Sequence, residues 1–95
     1  MSDYRPSVEL LESTHSFPCQ YQIKAIGRTE GDFVSQALAA VVGELASALE
    51  LDYTIRSTQG GRHVALTLDI TVQNAEQVRS IYAKLHEVKG LTLLF

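Results

Sequence analysis

The segment from His63 to Val72 alternates between apolar residues and mostly polar ones with no break in the pattern. One set of positions holds Val64, Leu66, Leu68, Ile70 and Val72, and the other holds His63, Ala65, Thr67, Asp69 and Thr71. Because side chains in a strand point to opposite faces with a period of two, this pattern predicts a long strand with one apolar and one hydrated face. We therefore expect a sheet that is covered on one side only.

A helix is predicted directly after this strand. Asn74 is a residue type that caps helices, and Gln77, three residues later, is placed to reach back to the N–H group of the cap. Until the helix ends near His86 and Glu87, apolar residues recur at helical spacing, namely Val78, Ile81, Tyr82 and Leu85. After Gly90, the apolar residues 91–95 predict a closing strand.

The first half of the chain repeats the order of strand and helix. Residues 18–27 alternate as a strand that Gly27 stops, and its inward face holds Tyr21, Ile23 and Ala25. After a polar loop, with Asp32 or Thr29 predicted as the helix cap, a helical stripe contains Val34, Ala37, Leu38, Val41, Leu45 and Ala48. Gly43 lies within this stripe and costs about 1 kcal/mol relative to alanine, which indicates close packing there.

A second strand is predicted over residues 51–58, with Tyr53 and Ile55 facing inward. The glycine pair Gly60-Gly61 then turns the chain back into the long strand, as such pairs do in hairpins. The order strand, helix, strand, strand, helix, strand predicts an α+β fold, the ferredoxin-like βαββαβ sandwich. We expect a four-stranded antiparallel sheet in the order 4-1-3-2, with two helices on one face. Residues 17–95 form this domain, and residues 1–16 are interpreted as a flexible N-terminal arm that docks on it.

Composition limits the classes of function. The 95 residues suit a single domain, and 11 acidic against 8 basic residues give a net charge of −3. Such a charge disfavours non-specific binding of nucleic acid. Cys19 is the only cysteine, which excludes an intramolecular disulfide and is typical of a reducing compartment. With no signal peptide or membrane span visible, we expect a soluble, cytoplasmic protein.

Several short motifs resemble a known family through their joint spacing. They are Phe17-Pro18, Lys24-Ala25-Ile26-Gly27, Tyr53-Thr54, Ser57 with Gly60, Glu76-Gln77-Val78, and Ile81-Tyr82 with Leu85. Together, over residues 17–95, they resemble the YbeD-like family of small bacterial proteins. The resemblance implies a ferredoxin-like domain similar to the ACT regulatory domains of amino-acid-metabolic enzymes, in a family with no assigned reaction.

No reactive centre is apparent in the sequence. The residues His15, Cys19, His63 and His86 lie on an arm, a first strand, a third strand and a helix end, without the short spacing of a metal site. Cys19 next to Pro18 is interpreted as a small half-buried thiol. Glu30 and Asp32 lie in an exposed loop, where capping explains them better than acid–base catalysis. We therefore expect no catalytic residue, no cofactor and no metal.

The open face of the predicted sheet was considered as an RNA-binding surface. The same topology recognises RNA through aromatic residues on its central strands, and the outward positions of strands one and three hold none. Lys24, Arg56 and His63 form a modest basic spot, which is interpreted as a solvated face. We therefore expect no nucleic-acid partner.

The loop from Gly27 to Asp32 is the candidate ligand site. It adjoins a helix N-terminus, whose free N–H groups attract carboxylates and phosphates, and ACT-like domains use the corresponding loop for small ligands. The candidate residues are Gly27, Arg28 and Asp32. Gly27 either lets a ligand approach the backbone or simply ends the strand, and Asp32 can hold the amino group of an amino acid.

The two edge strands of the predicted sheet are candidate assembly sites. Exposed edges present unpaired N–H and C=O groups, which pair with another chain unless they are protected. Strands two and four therefore predict a homodimer through edge pairing, and the apolar residues 91–95 either tuck under a helix or cover a partner. The sequence favours a non-enzymatic regulatory domain or protein-binding adaptor. The alternative is an ACT-like sensor of an amino acid or related metabolite.

Overall fold

The structure, a computed structural model, describes residues 5–58 and 60–95. In chain order it contains α1 (Val8–Thr14), β1 (Cys19–Arg28), α2 (Phe33–Val42), a 3-10 turn (Ala48–Glu50), β2 (Leu51–Ser57), β3 (His63–Val72), α3 (Ala75–His86) and β4 (Leu91–Leu94). The four strands form one antiparallel sheet in the order β2-β3-β1-β4. The predicted fold class and strand order are confirmed.

Strand β3 is the centre of the sheet. It pairs with β1 along its whole length, from Cys19 opposite Val72 to Arg28 opposite His63. Every second residue of β3 is buried, and these are the five apolar residues that the alternation placed on one face: Val64, Leu66, Leu68, Ile70 and Val72. The predicted inward face is therefore confirmed.

The core lies between this face and the helices. The predicted stripe of α3 is buried there, and it comprises Val78, Ile81, Tyr82 and Leu85. The cap of α3 also forms, because the Gln77 N–H donates to Asn74 Oδ1 at 2.8 Å. The Gln77 side chain accepts from the N–H of Gln73 rather than from that of the cap itself, which moves the predicted contact by one residue.

Helix α2 is shorter than its stripe predicted. It ends at Val42, so Leu45 and Ala48 are not part of it, and Gly43 is its exposed C-cap instead of a closely packed interior residue. The Glu44 N–H donates to the Val41 carbonyl at 3.0 Å, a tight turn that ends the helix. The prediction failed because periodicity continued past the glycine while the backbone did not.

Strand β1 also differs at its ends. It runs from Cys19 to Arg28, so Gly27 lies inside the strand and does not stop it. Strand β2 ends at Ser57, one residue before the predicted end. These shifts leave the register of β1 with β3 unbroken.

A third helix, α1, lies within the predicted arm. Ser7 caps it by accepting from the Leu10 N–H at 3.1 Å, and Leu11 is buried in the core. Arg79 of α3 donates through Nε to the Pro6 carbonyl at 3.0 Å. Residues 1–4 of the arm lie outside the described residues, and the division into a flexible arm and a domain stays a prediction.

Candidate functional site

Gly27 of the predicted ligand loop has a packing role in the structure. It is buried, and a Cβ atom at this position would lie 2.5 Å from the ring of Phe33. The first residue of α2 therefore lies directly over the strand, in the space that a ligand would need. This contact joins the end of β1 to the start of α2 and keeps the loop between them short.

Arg28 and Asp32 lie at the two ends of the exposed part of the loop. The Arg28 N–H donates to the Gly90 carbonyl at 3.0 Å, and the Thr29 N–H donates to the Arg62 carbonyl at 2.9 Å. The backbone at the start of the loop is thus hydrogen-bonded to the segment before β4 on one side and to the turn before β3 on the other. Asp32 is the N-cap of α2, as predicted, but its side chain makes no capping hydrogen bond. Its carboxylate is left for another contact.

Shallow hollows surround this loop, and Arg28 lines three of them. One of about 530 Å³ lies beside the turn before β3 and includes Arg62 and His63 in its wall. A second of about 470 Å³ lies over the first turn of α2. A third of about 380 Å³ places Arg28 and Lys89 around the same space as Asp32. Glu30 also lines this hollow, so two cations and two carboxylates surround one space and can pair with both charges of an amino acid.

The open face of the sheet carries opposite charges at its two ends. Lys24 and Arg56 line a hollow of about 510 Å³ on this face. Farther along the strands, Asp52 lies directly opposite Asp69, whose carboxylate also accepts from the Gln22 amide at 3.1 Å. The outward positions of β1 and β3, all of them described, hold no Phe, Tyr or Trp, and their one ring, the imidazole of His63, lies at the end of β3. The stacking surface of an RNA-binding sheet is absent from them.

The apolar end of the chain is divided between the core and solvent. Leu91 and Leu94 pack against the core, whereas Leu93 is 50% and Phe95 60% exposed. Phe95 continues the pairing of β4 with β1, because its N–H donates to the Lys24 carbonyl at 2.9 Å. Leu91 and Leu94 therefore follow the first predicted outcome for residues 91–95, and contact of Leu93 and Phe95 with a partner stays a prediction.

Strand β2 is the least covered part of the sheet. Tyr53 lies opposite Leu68, and Ile55 opposite Leu66, so both point to the helix side as predicted. Their partners on β3 are fully buried, whereas Tyr53 is 45% and Ile55 50% exposed. The inward direction is right, but the two side chains are only half-buried. Two large apolar side chains therefore lie along an edge strand in contact with water.

The backbone of β2 is also open on this side. The Thr58 N–H donates to the His63 carbonyl at 3.0 Å, just beyond the strand. Because hydrogen-bonded residues alternate along an antiparallel pair, residues 52, 54 and 56 face β3 and the intervening residues face outward. The Tyr53 N–H confirms this direction, since it donates to its neighbour, Asp52 Oδ1, at 3.0 Å. We call residues 51–57 with their outward N–H and C=O groups the β2 edge.

The groups considered for metal binding or catalysis are far apart. Cys19 and His63 lie at opposite ends of the ten-residue β1–β3 pairing, which separates them by about 30 Å. Within residues 5–58 and 60–95, no group of three or more His, Cys, Asp or Glu side chains could hold a metal ion. Cys19 is half-buried, as interpreted, and Glu30 is exposed.

Among the helices that the structure describes, none is long and apolar enough to cross a membrane.

One aromatic cluster was missed by the sequence reasoning. The hydroxyls of Tyr21 and Tyr82 lie 3.3 Å apart, and the ring of His15 lies 5.0 Å from that of Tyr21. Burial, with a smaller contribution from the Tyr21 hydroxyl, raises the pKa of Tyr82 above its usual range. The signal was present in the inward position of Tyr21 and the helical stripe of Tyr82, but their proximity depends on how α3 lies across the sheet.

The element order and the sheet order β2-β3-β1-β4 define this chain as a small ferredoxin-like α+β domain. A family model described as "Protein of unknown function (DUF493)" matches residues 12–94, and the chain belongs to this family. A UPF0250 protein of Chromobacterium violaceum is 32% identical over 69 residues, covering 73% of this chain and 78% of the relative. The UPF0250 protein NE1487 of Nitrosomonas europaea is 28% identical, covering 87% and 95%.

A solved structure supports the fold. The ACT domain from the GTP pyrophosphokinase of Chlorobium tepidum aligns with a TM-score of 0.60, covering 80% of this chain and 94% of that domain. Its sequence identity is 18%, so the likeness concerns the fold alone. The resemblance to YbeD-like proteins and to ACT-type domains is confirmed.

Proposed function

We propose that this protein is a non-enzymatic regulatory domain that binds another polypeptide as an added strand on the β2 edge. The observation that carries the proposal is the exposure of Tyr53 and Ile55 on the helix side of an edge strand. Both residues alternate with polar ones, so an added strand can hydrogen-bond to the backbone while its side chains contact both.

The energetics favour such a partner. Full burial of a large apolar side chain contributes about 1.5–3 kcal/mol, so covering the exposed halves of Tyr53 and Ile55 contributes about 1 kcal/mol each. The outward N–H and C=O groups of the β2 edge add hydrogen bonds and fix the direction of the added strand. A binding role explains the half-exposed Tyr53 and Ile55 and the outward backbone groups, whereas a purely structural role does not.

The distribution of reactive groups supports a role without catalysis. Among the described residues, Cys19 and the histidines considered for metal binding do not line a common hollow, and His63 is the one of them that lines the hollow beside Arg28. A single cysteine is typical of proteins that work in a reducing compartment, so we place the domain in the cytoplasm. Its partner is then a protein of the same compartment.

Site-specific crosslinking in the native bacterium tests the proposal. A photoreactive amino acid replaces Tyr53 in one variant and Leu93, an equally exposed residue on the other edge strand, in the control. We expect a protein adduct from position 53, and we expect Ile55→Lys to remove it because a charged side chain then occupies the apolar row. Absence of an adduct at position 53, or an adduct indifferent to Ile55→Lys in a variant with unchanged thermal stability, contradicts the proposal.

A second candidate function is supported by the loop hollows. Arg28 and Lys89 share a space with Asp32, whose carboxylate makes no cap bond, and this arrangement suits an amino acid or a similar metabolite. The protein would then be a sensor, with the ligand between the loop and the start of β4. The Phe33 ring over Gly27 directs such a ligand to the side chains and away from the strand backbone.

A thermal-shift screen of amino acids and related metabolites tests the sensor. A ligand at about 100 times its dissociation constant raises the free energy of unfolding by about 2.7 kcal/mol. We expect Arg28→Ala and Asp32→Asn each to abolish the shift and Lys84→Ala, an exposed change on α3, to retain it. A shift that survives both loop variants rejects this site, and no shift with any compound rejects the sensor.

A further inference from the structure

We infer that the basic end of the open sheet face binds the phosphate group of a small organic molecule. The site is the hollow of about 510 Å³ on the face opposite the helices, and we call it the open-face hollow. Its central residues are Lys24, Thr54, Arg56, Ala65 and Thr67. The hollow uses neither the backbone of the β2 edge nor the loop around Asp32, so its ligand is additional to the partners proposed above.

The strand register brings the two cations to opposite sides of β3. Lys24 of β1 lies opposite Thr67, and Arg56 of β2 lies opposite Ala65, two residues away on β3. With strands about 4.8 Å apart and residues about 3.4 Å apart along them, the backbones of Lys24 and Arg56 are separated by about 12 Å. Both side chains are long enough to bend toward each other over β3, so their charged ends can contact one anion.

Ala65 makes room for that anion. It is the smallest of the outward residues of β3, which are His63, Ala65, Thr67, Asp69 and Thr71. Its methyl group leaves the middle of the face low between Arg56 and Ile26, which lie opposite it on the two neighbouring strands. In the next row, Thr54 and Thr67 lie opposite each other. The hollow therefore has a small floor, and cations and hydroxyls stand around it.

The donors around the hollow are not used by the described part of the chain. Neither Lys24 nor Arg56 forms an ion pair there, and the hydroxyls of Thr54 and Thr67 make no hydrogen bond there. A phosphate monoester has three terminal acceptor oxygens and, with a second pKa of about 6, carries nearly two charges at neutral pH. It therefore matches two cations and two hydroxyls better than a carboxylate does, which has one charge on two oxygens.

Carboxylates bound the hollow on one side. Asp52 and Asp69 lie opposite each other in the row of the open face beyond the two threonines. The Asp69 carboxylate accepts from the Gln22 amide at 3.1 Å, and the Asp52 carboxylate accepts the Tyr53 N–H at 3.0 Å. These contacts hold both carboxylates away from the cations, and their charges direct an anion toward the other end of the face.

That other end is rich in cations. Arg28 lies opposite His63 in the row beyond Ala65, and the adjoining hollow is lined by both and by Arg62. Of the eight Lys and Arg residues of the chain, four line these two hollows, whereas Glu30 is the one acidic residue that does. The local field is therefore positive although the whole chain has a net charge of −3, and such a field concentrates anions.

The hollow also has an apolar side, which favours an organic phosphate over the free ion. Ile26 lines it and lies opposite Leu93 of β4, which is 50% exposed. Phe95 is 60% exposed and pairs with Lys24, because its N–H donates to the Lys24 carbonyl at 2.9 Å. An apolar body attached to the phosphate can pack against this side while the phosphate contacts the cations.

Titration with phenyl phosphate, followed by the NMR shifts of the Ala65 and Thr67 amides, tests the inference. We expect a dissociation constant on the order of 1 mM and weaker binding of inorganic phosphate, which has no body to contact Ile26. Lys24→Gln and Arg56→Gln should each weaken binding about tenfold, because each removes a charge-assisted hydrogen bond. Ala65→Val, which fills the floor with a residue suited to a strand, should weaken it as well.

Matched variants control for net charge and for the other two sites. Lys84→Gln changes the charge as much as Lys24→Gln but lies on the exposed side of α3, and it should leave binding unchanged. Ile55→Ala alters the helix side of the strand that carries Arg56, and Asp32→Asn alters the loop. We expect neither to change the affinity for phenyl phosphate. Thermal unfolding of each variant establishes that it is folded.

Different results overturn different parts of the proposal. Binding that survives both Lys24→Gln and Arg56→Gln, or that falls equally in Lys84→Gln, rejects the hollow as the site. Equal affinities for phenyl phosphate and inorganic phosphate reject the apolar contact. A single-stranded oligonucleotide that shifts the same amides when phenyl phosphate does not rejects a small-molecule ligand. No shift at about ten times the expected dissociation constant rejects phosphate binding, and both functions proposed above then still stand.

Discussion

Strands β2 and β3 alternate apolar and polar residues in the same way, yet only β3 is buried. The five apolar residues of β3 are almost completely buried, whereas Tyr53 and Ile55 of β2 remain about half exposed on the same face of the same sheet. Alternation therefore predicts the direction of a side chain but not its depth. Depth depends on whether a helix lies above the strand.

The two long helices differ as well. Helix α3 has 12 residues and a side-chain cap from Asn74, and its whole apolar stripe is buried. Helix α2 has 10 residues and ends at Val42, and its N-cap Asp32 makes no side-chain bond. Both helices contribute buried residues to the core, whereas the edge strand β2 keeps two large apolar side chains half exposed. The β2 edge offers exposed apolar surface and outward backbone groups to an added strand.

The largest expected effect contrasts the two strands directly. Leu68→Ala removes a fully buried side chain and should lower the free energy of unfolding by about 2–5 kcal/mol. Ile55→Ala, on the exposed edge strand, should cost about 1 kcal/mol or less. Chemical denaturation measures both. Equal losses would mean that β2 is covered, and the contrast between the strands would fail.

The next effect concerns the start of α2. Gly27→Ala places a Cβ atom 2.5 Å from the Phe33 ring and should cost about 1–3 kcal/mol through overpacking. Gly43→Ala is the matched control, because this C-cap has ordinary right-handed helical angles and no close neighbour. We expect it to be neutral or to stabilise by up to about 1 kcal/mol. The reverse order of effects in thermal unfolding would reject the packing role of Gly27.

Much of the fold was predictable because it depends on local patterns. The alternation of residues 63–72, the Asn74 cap and the stripe from Val78 to Leu85 each report a nearby backbone preference, and the strand order follows from the sequence of elements. The end of α2 could not be predicted in this way, because the apolar stripe continues through Leu45. Only the turn at Gly43 shows that the helix has ended.

The places of the candidate residues in the fold were predictable from the sequence. Their packing and exposure were not. Arg28 and Asp32 lie where the loop was expected, at the end of β1 and the start of α2. The role of Gly27 depends on the ring of Phe33, whose direction follows from packing and not from spacing. The exposure of Tyr53 depends likewise on how the helices pack over the sheet, which spacing alone does not reveal.

The two helix caps offer a smaller and sharper test of the same contrast. Asn74→Ala removes the oxygen that accepts the Gln77 N–H at 2.8 Å and should cost about 1 kcal/mol. Asp32→Ala removes no such bond and should cost clearly less. Urea denaturation of the two variants at neutral pH gives the comparison. If Asp32→Ala is the more destabilising change, the carboxylate caps α2 in solution and is not left free for a ligand.

The last effect concerns the ionisation of Tyr82, which does not change the free energy of unfolding at neutral pH and lowers it in alkaline solution. Tyr82 in the closed core keeps its proton when folded, because burial raises its pKa, whereas the unfolded chain loses it above about pH 10. The unfolded state then binds fewer protons than the native state, so the free energy of unfolding falls as pH rises above about 10, by up to about 1.4 kcal/mol per pH unit. Tyr82→Phe removes this contribution and should flatten the alkaline limb. Tyr53→Phe, a change on the exposed edge, should follow the natural chain, and a flattened limb in that variant as well would show that the two tyrosines do not differ in burial.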